Sequence, residues 1–427
     1  MRLYDTATRK LQELPPPPGP IRMYFCGPTV YQRIHTGNAR PFVISMWLKR
    51  WLERTGYDVT LVENITDVND KIYAAAPGDS ARLAEDASGW YVEDTSLLGL
   101  GRPDREPKAT ESIAEIVAMI EELIASEHAY ESKGDVYFRV ASFPDYGKLS
   151  GRHGDDEATR NPSEEAEEGE LKDDPRDFAL WKGHKEGEDT WWESPWGRGR
   201  PGWHIECSAM AEAHLGPVFE IHGGGIDLVF PHHENEIAQS RALGHDFAQL
   251  WMHNGMLRLS GEKMSKSVGN IVSLCEAVEK WGRETLLVYF LGGHWRKPLD
   301  YSDEVLRQAA AQAESFRNVF RQPSEPGGDW SVLAAALDDD FNTPDALAVM
   351  HGWRDHELLR RALEVFGLES LVEEPEVPAQ IEKLALARED ARARGDFAAA
   401  DGLRDHIEAE GWEVRDEAGG YRLVRQR

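Results

Sequence analysis

Near the start of the chain, apolar positions change from a continuous run to helical spacing and back to a run. Arg22-Met23-Tyr24-Phe25-Cys26 is short and rich in large apolar side chains, the composition of a buried strand. A Gly27-Pro28 turn follows, then amphipathic helical spacing over residues 42–55 and a second strand pattern over 57–65. Strand, turn and long helix in that order predict the opening of a nucleotide-binding βα unit. The preceding residues, 1–20, read as a short strand and a proline-rich turn. Helical patterns continue to about residue 131 and include 113–124, and 136–140 and 178–182 return to strand. Val218, Phe219 and Ile221 mark another buried strand. Amphipathic helices are expected at 276–290 and 304–320. A linker-like stretch, 323–328, leads to helical patterns at 345–353, 356–366, 382–394 and 398–410 and a strand-like tail.

Composition narrows the picture. A length of 427 residues allows two to four domains. The 41% apolar and 29% charged residues describe an ordinary soluble protein, with no run approaching the roughly 20 apolar residues of a membrane span. No signal peptide opens the sequence. Three cysteines, Cys26, Cys207 and Cys275, are too few for a disulfide framework, so a reducing, cytoplasmic setting with thiols kept for metal or chemistry is expected. A net charge of −28 argues against nucleic-acid binding through bulk electrostatics and leaves room only for a local basic track. Much of the acid falls in 155–177, where periodicity is absent and a solvated loop is expected.

Several stretches carry candidate chemistry. His222 to Glu236 contains the glycines 223–225, then Pro231, with His232 and Glu236 at i and i+4 on one helical face, a spacing suited to a metal. Cys26 and Cys207 offer two thiols to complete such a site, or are simply small buried hydrophobes. His35, Gly37 and Asn38 precede the first helix, where a helix N-terminus favours phosphate. Thr66 and Asp67 follow the second strand and either face a ligand crevice or cap the next helix. Trp203 is either part of a site or core filler. Lys263 and Lys266, in a loop flanked by Gly261 and Gly269, suit a polyphosphate clamp.

In their order and spacing these motifs resemble the cysteinyl-tRNA synthetases, a class I aminoacyl-tRNA synthetase family, over essentially the whole chain. Cys26-Gly27-Pro28-Thr29-Val30-Tyr31 through His35-Thr36-Gly37-Asn38 is similar to the family's form of the class I His-Ile-Gly-His motif. Lys263-Met264-Ser265-Lys266-Ser267 matches the second class motif letter for letter. Gly202-Trp203-His204-Ile205-Glu206-Cys207-Ser208 and the 222–236 run resemble its zinc segments.

The resemblance implies an α/β fold: a doubly wound, Rossmann-like parallel-sheet catalytic domain with an insertion, followed by a C-terminal helical domain that reads tRNA. Its expected divisions are 1–110 and 201–255 for the catalytic halves, 111–200 for the insertion, 256–322 for the lysine loop and junction, and 323–427 for the tRNA-binding part. It implies one zinc ion per chain on Cys26, Cys207, His232 and Glu236, the residues that spacing and thiol content also favour. Cysteine would be framed by Gly27, Thr66, Trp203 and Asp227, the last meeting its α-ammonium group. ATP, with Mg²⁺, would lie against Thr29, His35, Gly37, Asn38, Gly223, Gly225 and Lys266. His35, Asn38, Lys263 and Lys266 would stabilise charge on the phosphates. The implied partners are L-cysteine, ATP and tRNA(Cys), without a membrane.

The implied selection has a physical logic. An apolar pocket rejects a near-isostere such as serine by only about a hundredfold, whereas an open zinc position prefers a thiolate to a hydroxyl. No extra insertion large enough for an editing domain is present. Two departures from the family stand out: Asn69 where an aspartate is usual, and a shortened helical region after Asp339-Asp340-Phe341-Asn342-Thr343-Pro344. A related ligase that joins cysteine to an amino-sugar inositol in mycothiol synthesis would share the zinc and adenylation chemistry. The Gly27-to-Tyr31 motif and the tail pattern at 387–405 favour tRNA over it. A non-catalytic sensor would need a broken motif, and both ATP motifs are intact.

Overall fold

The computed structural model describes residues 1–152, 171–259, 262–263, 272–372, 377–417 and 420–425. Lys266 and most of the acidic stretch expected to be a loop lie outside these. The described chain forms two compact units, Met1–Leu368 and Glu369–Arg427.

The first unit is built on four parallel strands: β1 (Pro20–Phe25), β2 (Asp58–Glu63), β3 (Val218–Gly225) and β4 (Phe247–Asn254), in the spatial order β4-β3-β1-β2. Phe25 pairs with both Glu63 and Gly223, and Asn254 with Gly225, so all four carboxyl ends lie level at one edge. The chain leaves β1 for β2 on one side and later returns to β3 on the other, which makes the β1/β3 boundary the switch point where such sheets bind ligands. Helix α1 (Thr36–Arg54) connects β1 to β2 and buries Phe42, Val43, Trp47 and Trp51. It starts a turn and a half earlier than its apolar pattern suggests. Pro41 lies inside it, and a proline so close to a helix start reads as the start itself.

Between β2 and β3 the chain inserts its own small domain. Four short strands, Ala129–Ser132, Asp135–Phe138, Phe178–Gly183 and Gly199–Pro201, form an antiparallel sheet. Ile116, Ile120, Phe138, Phe178 and Trp181 make its core. The chain re-enters the main domain through α2 (Trp203–Leu215), and α3 (Glu234–Ala242) joins β3 to β4. Tyr24, Met210, Phe219, Ile237 and Trp251 pack together between these elements.

Residues Arg2–Asp5 and Lys10–Glu13 pair as a hairpin, where one strand was expected. The second strand is polar and largely exposed, so it carries no apolar signal. The helix expected at 276–290 is two, Leu274–Trp281 and Arg283–Leu291, divided by Gly282 at φ 77°. An additional helix, Trp330–Asp338, follows the linker. The helices up to His356–Val365 belong to the first unit: Trp47 donates to the Phe366 carbonyl at 2.9 Å and Trp51 to Asp338 at 3.0 Å. The second unit is a helix pair, Ala379–Ala393 and Phe397–Ala409, with a hairpin of Trp412–Glu417 and Gly420–Arg425. Ile381, Ala385, Ile407 and Trp412 form its core. No helix among the described residues is long and apolar enough to cross a membrane.

Candidate functional site

A cavity of 410 Å³ opens at the carboxyl edge of the sheet, beside the switch point. Gly27 and Thr29 line it from the segment after β1. That segment continues the sheet pairing, with Val30 N donating to the Thr66 carbonyl at 3.1 Å and Thr66 N to that of Pro28 at 3.2 Å. His35 is the residue before α1, and with Gly37 and Asn38 it lines the same cavity. Trp203, at the start of α2, Gly225, the last residue of β3, and Asp227, just beyond it, complete the wall.

At the cavity floor four donor atoms converge. Cys26 Sγ lies 3.8 Å from Cys207 Sγ, 3.5 Å from His232 Nε2 and 3.6 Å from Glu236 Oε1, and His232 Nε2 is 3.1 Å from Glu236 Oε1. With ordinary zinc bond lengths, a tetrahedron has edges of about 3.8 Å between sulfurs, 3.6 Å from sulfur to nitrogen or oxygen, and 3.4 Å from nitrogen to oxygen. The four atoms therefore fit one such ion. A second grouping, Cys26, His222, His233 and Glu236, is equally buried. There His222 Nε2 sits 2.7 Å from Glu236 Oε2, a hydrogen-bond length too short for two ligands of one ion. The two-thiol set is the one with metal geometry, and its donors suit a soft ion.

The electrostatics of the thiols agree. Burial pushes the Cys26 thiol well above its usual range, helped by its hydrogen bond to Cys207. Burial also opposes ionisation of Cys207, but the hydrogen bond from Cys26 and the charge on His232 outweigh it and bring that thiol down to about 6. Of the two thiols, Cys207 is therefore the easier to ionise.

Other histidines surround the donors and orient them. His222 Nε2 bonds to the second oxygen of Glu236. His204 Nδ1 is within hydrogen-bonding distance of His232 Nδ1 at 3.0 Å, and burial holds His204 well below its usual pKa. Trp203 stacks on the His232 ring at 4.4 Å, which makes it part of the site. His233 reaches Cys26 Sγ at 3.3 Å and His253 at 2.7 Å, and His253 reaches the Thr6 hydroxyl at 2.8 Å. The helix proper begins at Glu234, not Pro231; Val229–His233 form a wider turn that still delivers His232 to Glu236.

Not every residue singled out above lies on the cavity. Gly223 sits behind it: a Cβ there would stand 2.3 Å from the Phe25 ring, so this glycine serves strand packing. Thr66 is buried, accepting from Asn64 Nδ2 at 3.1 Å. Asp67 accepts from the Thr110 amide and hydroxyl, and the following helix is capped instead by Asn69, whose Oδ1 accepts from Lys71 N at 3.1 Å. That cap gives the unusual Asn69 a local role. Lys263 lies in a short strand whose backbone pairs with Arg258. Sequence reading missed His204, His222 and His253 as partners, although histidines are dense in these segments. It also missed Glu63, which lines the cavity. Burial lifts its carboxyl to about 7 despite the Tyr91 hydroxyl that donates to it.

Comparison with known proteins agrees with this architecture. Residues 14–311 match the model for the tRNA synthetases class I (C) catalytic domain, and 333–356 match the DALR domain. The cysteine–tRNA ligase of Geobacillus thermodenitrificans is 42% identical over 467 aligned positions, covering 100% of this chain and 99% of that protein. That of Paracoccus denitrificans is 44% identical, covering 99% and 97%. Among solved structures, Mycobacterium tuberculosis methionyl-tRNA synthetase in complex with methionyl-adenylate shares the fold, with a TM-score of 0.59 at 15% identity over 90% of this chain and 88% of that one. The chain belongs to the cysteine–tRNA ligases, within the class I aminoacyl-tRNA synthetases.

Proposed function

We propose that this enzyme activates L-cysteine with ATP and transfers it to the 3′ end of tRNA(Cys), choosing the thiol at a zinc ion held by Cys26, Cys207, His232 and Glu236. The observation that carries the reading is the set of donor spacings at the cavity floor, with Cys26 the ligand that also lines the cavity. A zinc ion there supplies a soft, open position that favours a thiolate over a hydroxyl.

The chain's own groups do the rest. Asp227 is an exposed carboxylate on the cavity wall and meets the cysteine α-ammonium group, while Trp203 closes over the side chain. Thr29, His35, Gly37, Asn38 and Gly225 face the nucleotide. His35 and Asn38, at the start of α1, stabilise charge on the phosphates together with Mg²⁺ and the lysines of the 263–267 motif. The cysteine carboxylate attacks the ATP α-phosphorus and pyrophosphate leaves. A ribose hydroxyl of the tRNA then attacks the activated carbonyl and releases AMP. No side chain needs to act as a covalent nucleophile, so catalysis is placement and electrostatics. The helices from residue 330 onward, which include the DALR match, are assigned to tRNA. The sugar-ligase alternative is not favoured, because these relatives are tRNA ligases along their whole length.

Metal analysis of the purified protein is expected to give about one zinc per chain. After cobalt substitution, cysteine should produce a thiolate-to-metal charge-transfer band and serine none. A metal-free preparation that activates cysteine and still excludes serine would overturn the zinc assignment.

A further inference from the structure

The helix Ser80–Ser96 ends in a turn that carries two acids, Glu93 and Asp94, and no base. Carboxylates at that end meet the negative pole of the helix dipole, so helix stability alone does not favour them there. Asp94 is also fully buried, and a buried charge persists only where it is paired and hydrogen-bonded. Its partners explain the placement. Asp94 Oδ1 accepts from Arg33 Nη1 and from Cys275 Sγ, the latter at 2.8 Å, and Oδ2 accepts from Ile34 N at 3.3 Å. Burial, with Asp94 beside it, pushes the Cys275 thiol up, which keeps it a donor. Arg33 Nη2 donates to Glu93 at 2.9 Å, so both acids of the turn hold one guanidinium.

These partners adjoin the two motifs assigned to ATP. Arg33 and Ile34 line the catalytic cavity directly before His35. Cys275 lies on the helix Leu274–Trp281, which follows the lysine motif in the chain. The two segments are paired with each other: Thr36 N donates to the Val272 carbonyl and Leu274 N to that of Ile34, both at 3.0 Å, with His35 opposite Ser273. A Cβ at Gly37 would lie 2.8 Å from the His35 ring, so the ring packs against that glycine. Asp94 reaches both segments of this pairing at once.

We infer that Asp94 is a positioning residue for ATP: through Arg33, Ile34 and Cys275 it fixes the pairing between the segment that carries His35 and the segment that follows the lysine motif. The inference rests on the proposed function, which sets His35 and the lysines against the phosphates. Catalysis by placement tolerates little displacement, and a shift of about 1 Å in such a group costs about a hundredfold. The groups assigned to zinc and cysteine stand on other elements, the end of β1, α2 and the residues between β3 and α3. Loss of Asp94 should therefore fall on ATP selectively, whereas a merely structural ion pair would affect both substrates alike.

Full-length wild type, Asp94→Asn, Arg33→Leu and the double variant would be compared by cysteine-dependent pyrophosphate exchange, with active sites titrated and zinc measured on the same preparations. Asp94→Asn keeps the shape of the side chain but cannot accept at both positions. It should lower kcat/KM for ATP, per active site, on the order of a hundredfold, with KM for cysteine and zinc content as in wild type. Arg33→Leu changes an exposed side chain, so it reports on the same link even should Asp94→Asn fail to fold. It should show the ATP-selective loss at roughly three- to tenfold, and the double variant should lose less than the product of the two single losses. Equal changes in KM for cysteine and ATP, or a loss confined to melting temperature, would make Asp94 a structural anchor only and overturn the inference. Multiplicative losses in the double variant would overturn it too, since Arg33 would then meet ATP independently. A wild type without cysteine-dependent exchange would instead refute the proposed function, and this inference with it.

Discussion

The floor and the wall of the catalytic cavity are made differently. At the floor, Cys207, His232 and Glu236 are buried, and each is fixed by further buried groups: His222 on Glu236, His204 on His232, Cys26 on Cys207. On the wall, Thr29 and His35 are half-buried, Asn38 and Asp227 are exposed, and all stand on loops or at the start of a helix. On the proposed function, the difference follows from the task. Discriminating sulfur from oxygen requires donor atoms fixed to a fraction of an ångström, which only interlocked, desolvated side chains provide. Gripping a triphosphate that must enter, react and leave calls for charge at an accessible surface.

Substitutions at floor and wall should therefore fail in different ways. Cys207→Ser has the largest expected effect: loss of bound zinc and a fall in cysteine-dependent pyrophosphate exchange on the order of a thousandfold or more. Metal content and exchange rate measured on the same preparation check it, and a variant keeping full zinc would break the distinction. Lys266→Ala should lower adenylate formation by about a hundredfold, the scale of removing one preorganised charge donor, with zinc content unchanged. Normal exchange in that variant would remove the lysine from its role. The smallest effect is expected for His222→Asn, which leaves all four donors but removes the ring that orients Glu236. Zinc affinity, titrated against a chelator, should fall about tenfold while exchange at saturating zinc stays near wild type. Unchanged affinity would mean that the donors hold their geometry unaided.

The same contrast explains what could be read from the sequence. Wall residues lie in short contiguous motifs, so residues 26–38 could be picked out directly; Lys266 of the lysine run lies outside the described residues. The four floor donors were legible because two share a helical spacing and the thiols are few. Their supporting shell was not legible: His253 joins the site from β4 and Thr6 from the first hairpin, contacts that no local spacing encodes. Among the fold elements, strongly patterned pieces such as Ile113–Ala125 and Asp303–Phe320 fall within a residue or two of their expected limits. Lys10–Glu13 was missed because an exposed edge strand needs no apolar side chains, and Trp330–Asp338 because it begins directly after a Pro/Gly-rich linker.

The first hairpin has one more consequence, and it concerns time. Arg2 pairs with Asp339 at 2.8 Å, Tyr4 N donates to Asp340 at 2.8 Å, and the Asp5 carboxylate receives Trp251 N at 2.9 Å. Residues of this hairpin are thus secured by residues made some 250 and 340 positions later. Closing so long a loop is slow, and contacts of this sequence separation form after local helices have folded. Until Asp340 has left the ribosome, the hairpin has its Trp251 contact but lacks its contacts to Asp339 and Asp340, so its docking is completed long after its own residues are made.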